Sequence, residues 1–124
     1  MMTPAAFIAR TNGGDWREGD PVCALWAAEF WREVTGVDVA APYRGRYARP
    51  FEWRRMILLA GGLEEFCRKA MAEFRSGETQ NGVCVARVGG RTFCGILSGG
   101  RLFIRSAGGV YSPTGFTLLE GWGA

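Results

Sequence analysis

Cys23 lies in the run Asp20-Pro21-Val22-Cys23-Ala24-Leu25-Trp26-Ala27-Ala28. Asp20 suits a helix N-cap, Pro21 suits the first helical position, and a helical run follows. This places the Cys23 sulfur in the first turn, where unpaired N–H groups and the helix macrodipole favour a thiolate. A nucleophilic cysteine also needs a base that takes its proton and later hands one to the leaving group, work that histidine normally does. The 124-residue chain contains no histidine. The position therefore reads as a nucleophile seat without its base.

The remaining thiols are Cys67, Cys84 and Cys94, and no C-x-x-C pair occurs. Without histidine, a structural zinc site would need all four cysteines in an unusual spacing, and an iron–sulfur cluster has no better support. The cysteines are read as buried free thiols, with no metal and no cofactor. The net charge of +3 does not by itself imply nucleic acid or an anionic membrane. No apolar run reaches the ~20 residues of a membrane span. The start, from Met1 to Arg10, lacks the charged-then-apolar build of a signal peptide, which implies synthesis and initial residence in the cytoplasm. Length and composition fit a single domain over residues 1–124.

These residues must be positioned by local elements. Cys23, Trp26, Ala27, Phe30 and Val34 share one helical face and Gly36 is a natural stop, so residues 21–35 form a central buried helix. Residues 37–50 form a loop, and a short helix follows over about 51–60. Leu63, Phe66, Cys67, Ala70, Met71 and Phe74 repeat at helical spacing opposite Glu64, Arg68, Lys69 and Glu73, which predicts a helix over 63–76 ended by Gly77.

From residue 82 the period becomes that of strands. Runs over 83–88, 91–97 and 101–105 are joined by Gly89-Gly90 and Gly99-Gly100, each a two-residue hairpin signal, and make a meander over 82–106. Further turns at Gly108-Gly109 and Ser112-Pro113 suggest strands over about 109–111 and 116–120. Helices first and strands afterwards means α+β, with N-terminal helices packed on a C-terminal antiparallel sheet. Two-residue turns place Val85 opposite Cys94, put Phe93 on the side of Ala86, Gly95, Leu97 and Ile104, and point Cys84 and Cys94 to opposite faces.

Taken in order, several short motifs carry a resemblance: Trp16, Cys23-Ala24-Leu25-Trp26-Ala27-Ala28-Glu29, Thr35-Gly36-Val37-Asp38, Arg44-Gly45-Arg46-Tyr47, Gly61-Gly62-Leu63 and Gly95-Ile96. In order and spacing they are similar to a branch of the papain-like NlpC-type cell-wall peptidases encoded among bacteriophage and prophage tail genes. The resemblance implies a papain-like, NlpC-like fold with a degenerate site. Cys23 keeps the nucleophile position, but Val22 replaces the acidic residue of the family's Asp-Cys motif. The pattern His-Val-Gly-Ile corresponds to Phe93-Cys94-Gly95-Ile96, which puts Phe93 in the base position, and the third polar position falls near Arg105. Neither Phe93 nor Arg105 accepts a proton from Cys23 at neutral pH. No catalytic residue is expected.

The segment Tyr43-Arg44-Gly45-Arg46-Tyr47-Ala48-Arg49-Pro50-Phe51-Glu52-Trp53-Arg54-Arg55 interleaves five arginines with four aromatics. This chemistry grips carboxylates or single-stranded nucleic acid, or else anchors a solvated loop to the core by its rings. Arginine and aromatics are also enriched at protein interfaces, and nucleic acid ranks last because the positive charge is local. Arg44, Arg46, Tyr47 and Trp53 are the candidate protein-binding residues. With the resemblance, they imply a structural component of a phage tail, near the distal tip, bound to hub or distal-tail proteins in a symmetric assembly. It would be made in the host cytoplasm and retained in the virion tail. Two alternatives stand beside this: an active cysteine peptidase or amidase cutting peptidoglycan during host entry, and a tail assembly factor absent from the mature virion.

Overall fold

In a computed structural model, which describes residues 2–13, 22–43 and 50–124, the chain begins with a helix that the sequence reading had not placed. Helix α1 (Pro4–Thr11) starts where the Thr3 hydroxyl accepts a hydrogen bond from the Ala6 N–H at 3.1 Å, with proline at the first helical position. Its fully buried Phe7 stacks at a tilt on Trp26 and Phe30, with ring centroids 5.9 and 5.3 Å away. At its end, Thr11 Oγ1 donates to the Phe7 carbonyl and accepts from the Trp26 indole N–H, both at 2.7 Å.

Helix α2 (Val22–Thr35) agrees with the expected span, apart from Pro21, which lies outside the described residues. It buries Val22, Trp26, Ala27, Ala28, Phe30 and Trp31, a wider face than the stripe read from the sequence, because sheet and flanking helices meet it on several sides. Gly36 ends it in the left-handed region at φ +80°, its N–H bonded to the Arg32 carbonyl at 2.8 Å.

Helix α3 (Pro50–Leu59) and helix α4 (Leu63–Ala70) follow. The expected helix over 63–76 stops at Ala70. Met71 leaves helical geometry at φ −101° and ψ 17°, and the chain turns so that Phe74 N–H meets the Met71 carbonyl. Apolar spacing did not detect the break, because Met71 is still buried and Phe74 still packs edge-on against Trp31, at 5.1 Å and 84°. Arg68 ties α4 to its own Glu64 and Glu65 and, across to the sheet, to Glu120 at 2.9 Å.

Strands β1 (Gly82–Val88), β2 (Arg91–Ser98), β3 (Arg101–Ser106), β4 (Gly109–Tyr111) and β5 (Thr117–Gly123) form one antiparallel sheet in the order β4-β3-β2-β1-β5. The glycine pairs 89–90 and 99–100 all have positive φ, between +56° and +81°, as tight hairpins require. The expected register holds, with Val85 opposite Cys94 and Ala86 opposite Phe93. The last strand returns beside the first, a long-range pairing that the turn signals do not specify. Gly82 permits it, since a Cβ there would lie 2.0 Å from the Trp122 carbonyl oxygen.

Side-chain alternation divides the sheet residues between two clusters. Val83, Val85, Cys94, Ile96 and Trp122 join the α1 and α2 aromatics. Cys84, Ala86, Leu97, Leu102 and Ile104 make a second cluster, and Cys23 packs at the edge of both. The chain is therefore α+β, with helices on an antiparallel sheet. No helix among the described residues is long and apolar enough to cross a membrane.

Candidate functional site: a thiol cluster at the start of the central helix

Helix α2 presents Cys23 from its first turn, half-buried against the sheet. Its thiol is held below the ordinary cysteine range, first by a side-chain hydrogen bond with Cys94 and then by backbone bonds at Cys94, Ala24 and Cys23 itself, against the opposing effect of burial. The expected tendency toward thiolate is thus supported by identifiable donors. Cys94 moves the other way and is pushed well above the ordinary range. Its hydrogen bond with Cys23 is the first cause, followed by that with Cys67 and by burial. Helix α4 brings Cys67 from the other side, with its Sγ 3.3 Å from that of Cys94. Three thiols thus meet with Cys94 in the middle.

Cys84 belongs to the opposite cluster, as the register requires, and burial pushes its thiol up to about 12. Beside the thiols, α2, α4 and β1 line a partly open, apolar cavity of about 70 Å³, bordered by Ala24, Ala27, Ala28, Trp31, Cys67 and Cys94. Three alanines on one helix face leave this space. Among the described residues, no group of three or more His, Cys, Asp or Glu side chains is arranged to hold a metal ion.

The other expected positions separate. The polar neighbour of Cys23 is Cys94, one residue beyond the expected base position Phe93. Strand alternation turns Phe93 toward the second cluster, where its ring has the Arg91 guanidinium 5.9 Å from its centroid. Arg105, expected in the third position, is 2% exposed and donates from Nη1 to the Thr11 and Asn12 carbonyls. It closes the C-terminal end of α1, as a cation does well at that pole of a helix, rather than orienting a base.

Arg44, Arg46 and Tyr47 lie outside the described residues. Trp53, expected as a protein-binding residue, is instead 6% exposed and borders the cavity, because α3 turns it inward. Tyr43 likewise anchors its end of the segment, its ring 5.0 Å from that of Phe66. The outward face of α3 instead carries Phe51, Leu58 and Leu59, which are 54%, 69% and 76% exposed, together with exposed Arg54 and Arg55. The sequence reading had not singled out the two leucines, although their spacing from Phe51 places all three on one helical face.

The profile of a family described as a domain of unknown function, DUF6950, matches residues 3–122. The chain belongs to the DUF6950 family. That match runs from the cap of α1 into β5, so the DUF6950 domain takes in the thiol cluster and α3 alike. No curated protein and no solved structure matches the chain.

Proposed function

We propose that this DUF6950 chain is a non-catalytic structural component of a bacteriophage tail, near the distal tip, using an NlpC-like, papain-like fold as a protein-binding module. The observation that carries the binding role is the outward face of α3, where Phe51, Leu58 and Leu59 face solvent beside Arg54 and Arg55. Large apolar side chains grouped with arginines on one helix face suit a partner groove that combines apolar surface with carboxylates. The resemblance to tail-encoded relatives of the NlpC peptidases supplies the setting. Hub or distal-tail proteins are the proposed partners, with Arg44, Arg46 and Tyr47 extending the contact.

The non-catalytic half of the proposal rests on the surroundings of Cys23. Cys94, its own thiol pushed up, keeps its proton near neutrality and so cannot take one from Cys23, and the chain has no histidine. The isolated protein is expected to release no product from peptidoglycan fragments. Turnover by the wild type that disappears in Cys23→Ala would establish the peptidase or amidase alternative, which the lowered Cys23 thiol favours.

Replacing Leu58 and Leu59 with serine removes apolar surface that the isolated fold leaves in solvent. Its thermal unfolding should stay within a few degrees of wild type, while incorporation into particles falls at least tenfold, since interface anchors are worth ~2 kcal/mol or more each. Quantitative mass spectrometry of purified virions reads the outcome. Undiminished incorporation would remove α3 from the contact. Absence of the wild-type chain from virions would leave the assembly-factor reading.

A further inference from the structure

We infer that Cys94 is the central sulfur of a peroxide-responsive thiol relay, in which Cys23 takes the oxidant and the disulfide comes to rest between Cys94 and Cys67. The geometry carries this. The Cys67 and Cys94 sulfurs are 3.3 Å apart, short of covalent distance by little more than ~1 Å, and Cys23 packs from α2 against the same cluster that holds Cys94. Cys84, on the other sheet face, belongs to a different cluster and stands outside the relay.

The steps balance with hydrogen peroxide as the oxidant, a molecule small enough for a half-buried thiol. The Cys23 thiolate attacks one peroxide oxygen, the O–O bond breaks, and the departing hydroxide takes a proton to become water, leaving Cys23 as the sulfenic acid. The Cys94 sulfur then attacks the Cys23 sulfur. Its thiol proton and the sulfenic hydroxyl leave as a second water, and the Cys23–Cys94 disulfide forms. In the last step the Cys67 thiolate, its proton released to solvent, attacks the Cys94 sulfur and expels the Cys23 thiolate. The leaving sulfur sits in the first turn of α2, where the backbone N–H groups at Ala24 and Cys23 remain to favour the thiolate after the Cys94 proton has gone, and its departure restores the starting nucleophile. Two thiols have given two electrons to one peroxide. The new bond ties α4 to β2.

Trypsin places the four cysteines in four different peptides, 18–32, 56–68, 76–87 and 92–101, so the pairing can be read directly. The full-length protein is treated with hydrogen peroxide, its remaining thiols are alkylated under denaturing conditions, and it is digested without reduction. The expected product is peptide 56–68 linked to 92–101, with 76–87 alkylated. A digest with Cys67 and Cys94 still alkylated, or with Cys84 in the main cross-link, would overturn the inference. So would a final product in which Cys94 stays bonded to Cys23. In Cys23→Ser the same cross-link should form at least ~10-fold more slowly with peroxide, since the acidic thiolate is the reactive form. An unchanged rate would remove Cys23 from the relay.

Discussion

Phe30→Ala is expected to lower the free energy of unfolding by about 3–5 kcal/mol, the range for a fully buried phenylalanine truncated in a core that cannot collapse around the loss. Phe30 is wholly buried in the cluster that joins α1, α2 and the inner face of β1 and β2. Its ring lies 5.3 Å from that of Phe7, which anchors α1. The truncation therefore removes packing from the sheet and from the short first helix together. Urea unfolding of the variant beside wild type measures the loss, and Leu59→Ala, on the open side of α3, serves as the comparison, with a change within about 0.5 kcal/mol. A Phe30→Ala loss below about 1 kcal/mol would mean that the α1–α2 contact is not part of the core.

The second large effect is a loss of stability in alkali. Burial raises the Cys84 thiol from 9.0 to about 12 in the folded chain. A raised folded value means that stability is fully present below the unfolded pKa and is lost as pH rises through the folded one. Between these limits the unfolded chain ionises at Cys84 and the folded chain does not. The difference of about three units corresponds to a loss of about 4 kcal/mol between about pH 9 and pH 12. Cys94, also pushed up, acts in the same direction, while the lowered Cys23 opposes it as its hydrogen-bonded partner. Cys84→Ala isolates the effect. The variant should be less stable than wild type near neutrality, because it leaves a small void among Ala86, Leu97 and Leu102, and the gap should narrow as pH rises. Urea titrations at about pH 8, 10 and 11.5 test it, and two curves that stay parallel would show that Cys84 ionises freely in the fold.

Much of this architecture is written locally. The glycine pairs at 89–90 and 99–100 set tight turns through backbone freedom that other residues lack, and once the turns are known, strand alternation decides which side chains share a face. That is why the opposition of Val85 and Cys94, and the separation of Cys84 from Cys94, follow from the sequence without coordinates. The stop of α2 at Gly36 is equally local. Helix α1 is legible too, in the Thr3 cap and the proline-led first turn.

Other features depend on which parts of the chain meet. Cys67 looks like one more member of an apolar stripe, and its distance along the chain from Cys94 carries no pairing signal. Only the packing of α4 on β2 brings the two sulfurs to 3.3 Å. Arg105 has the spacing of a catalytic third member, yet the end of α1, remote in sequence, supplies the carbonyls that hold it. Trp53 and Leu59 are both large, apolar and on the same short helix, and the side of α3 that docks decides that one is buried and the other open. Turn chemistry and hydrophobic period act over a few residues, so the sequence by itself determined α2, α3 and the hairpin register but not where α4 ends, and its composition alone excluded a histidine base. Side-chain encounters between distant segments depend on how those elements pack, so the thiol cluster, the return of β5 beside β1 and the exposed face of α3 were decided by the tertiary structure alone.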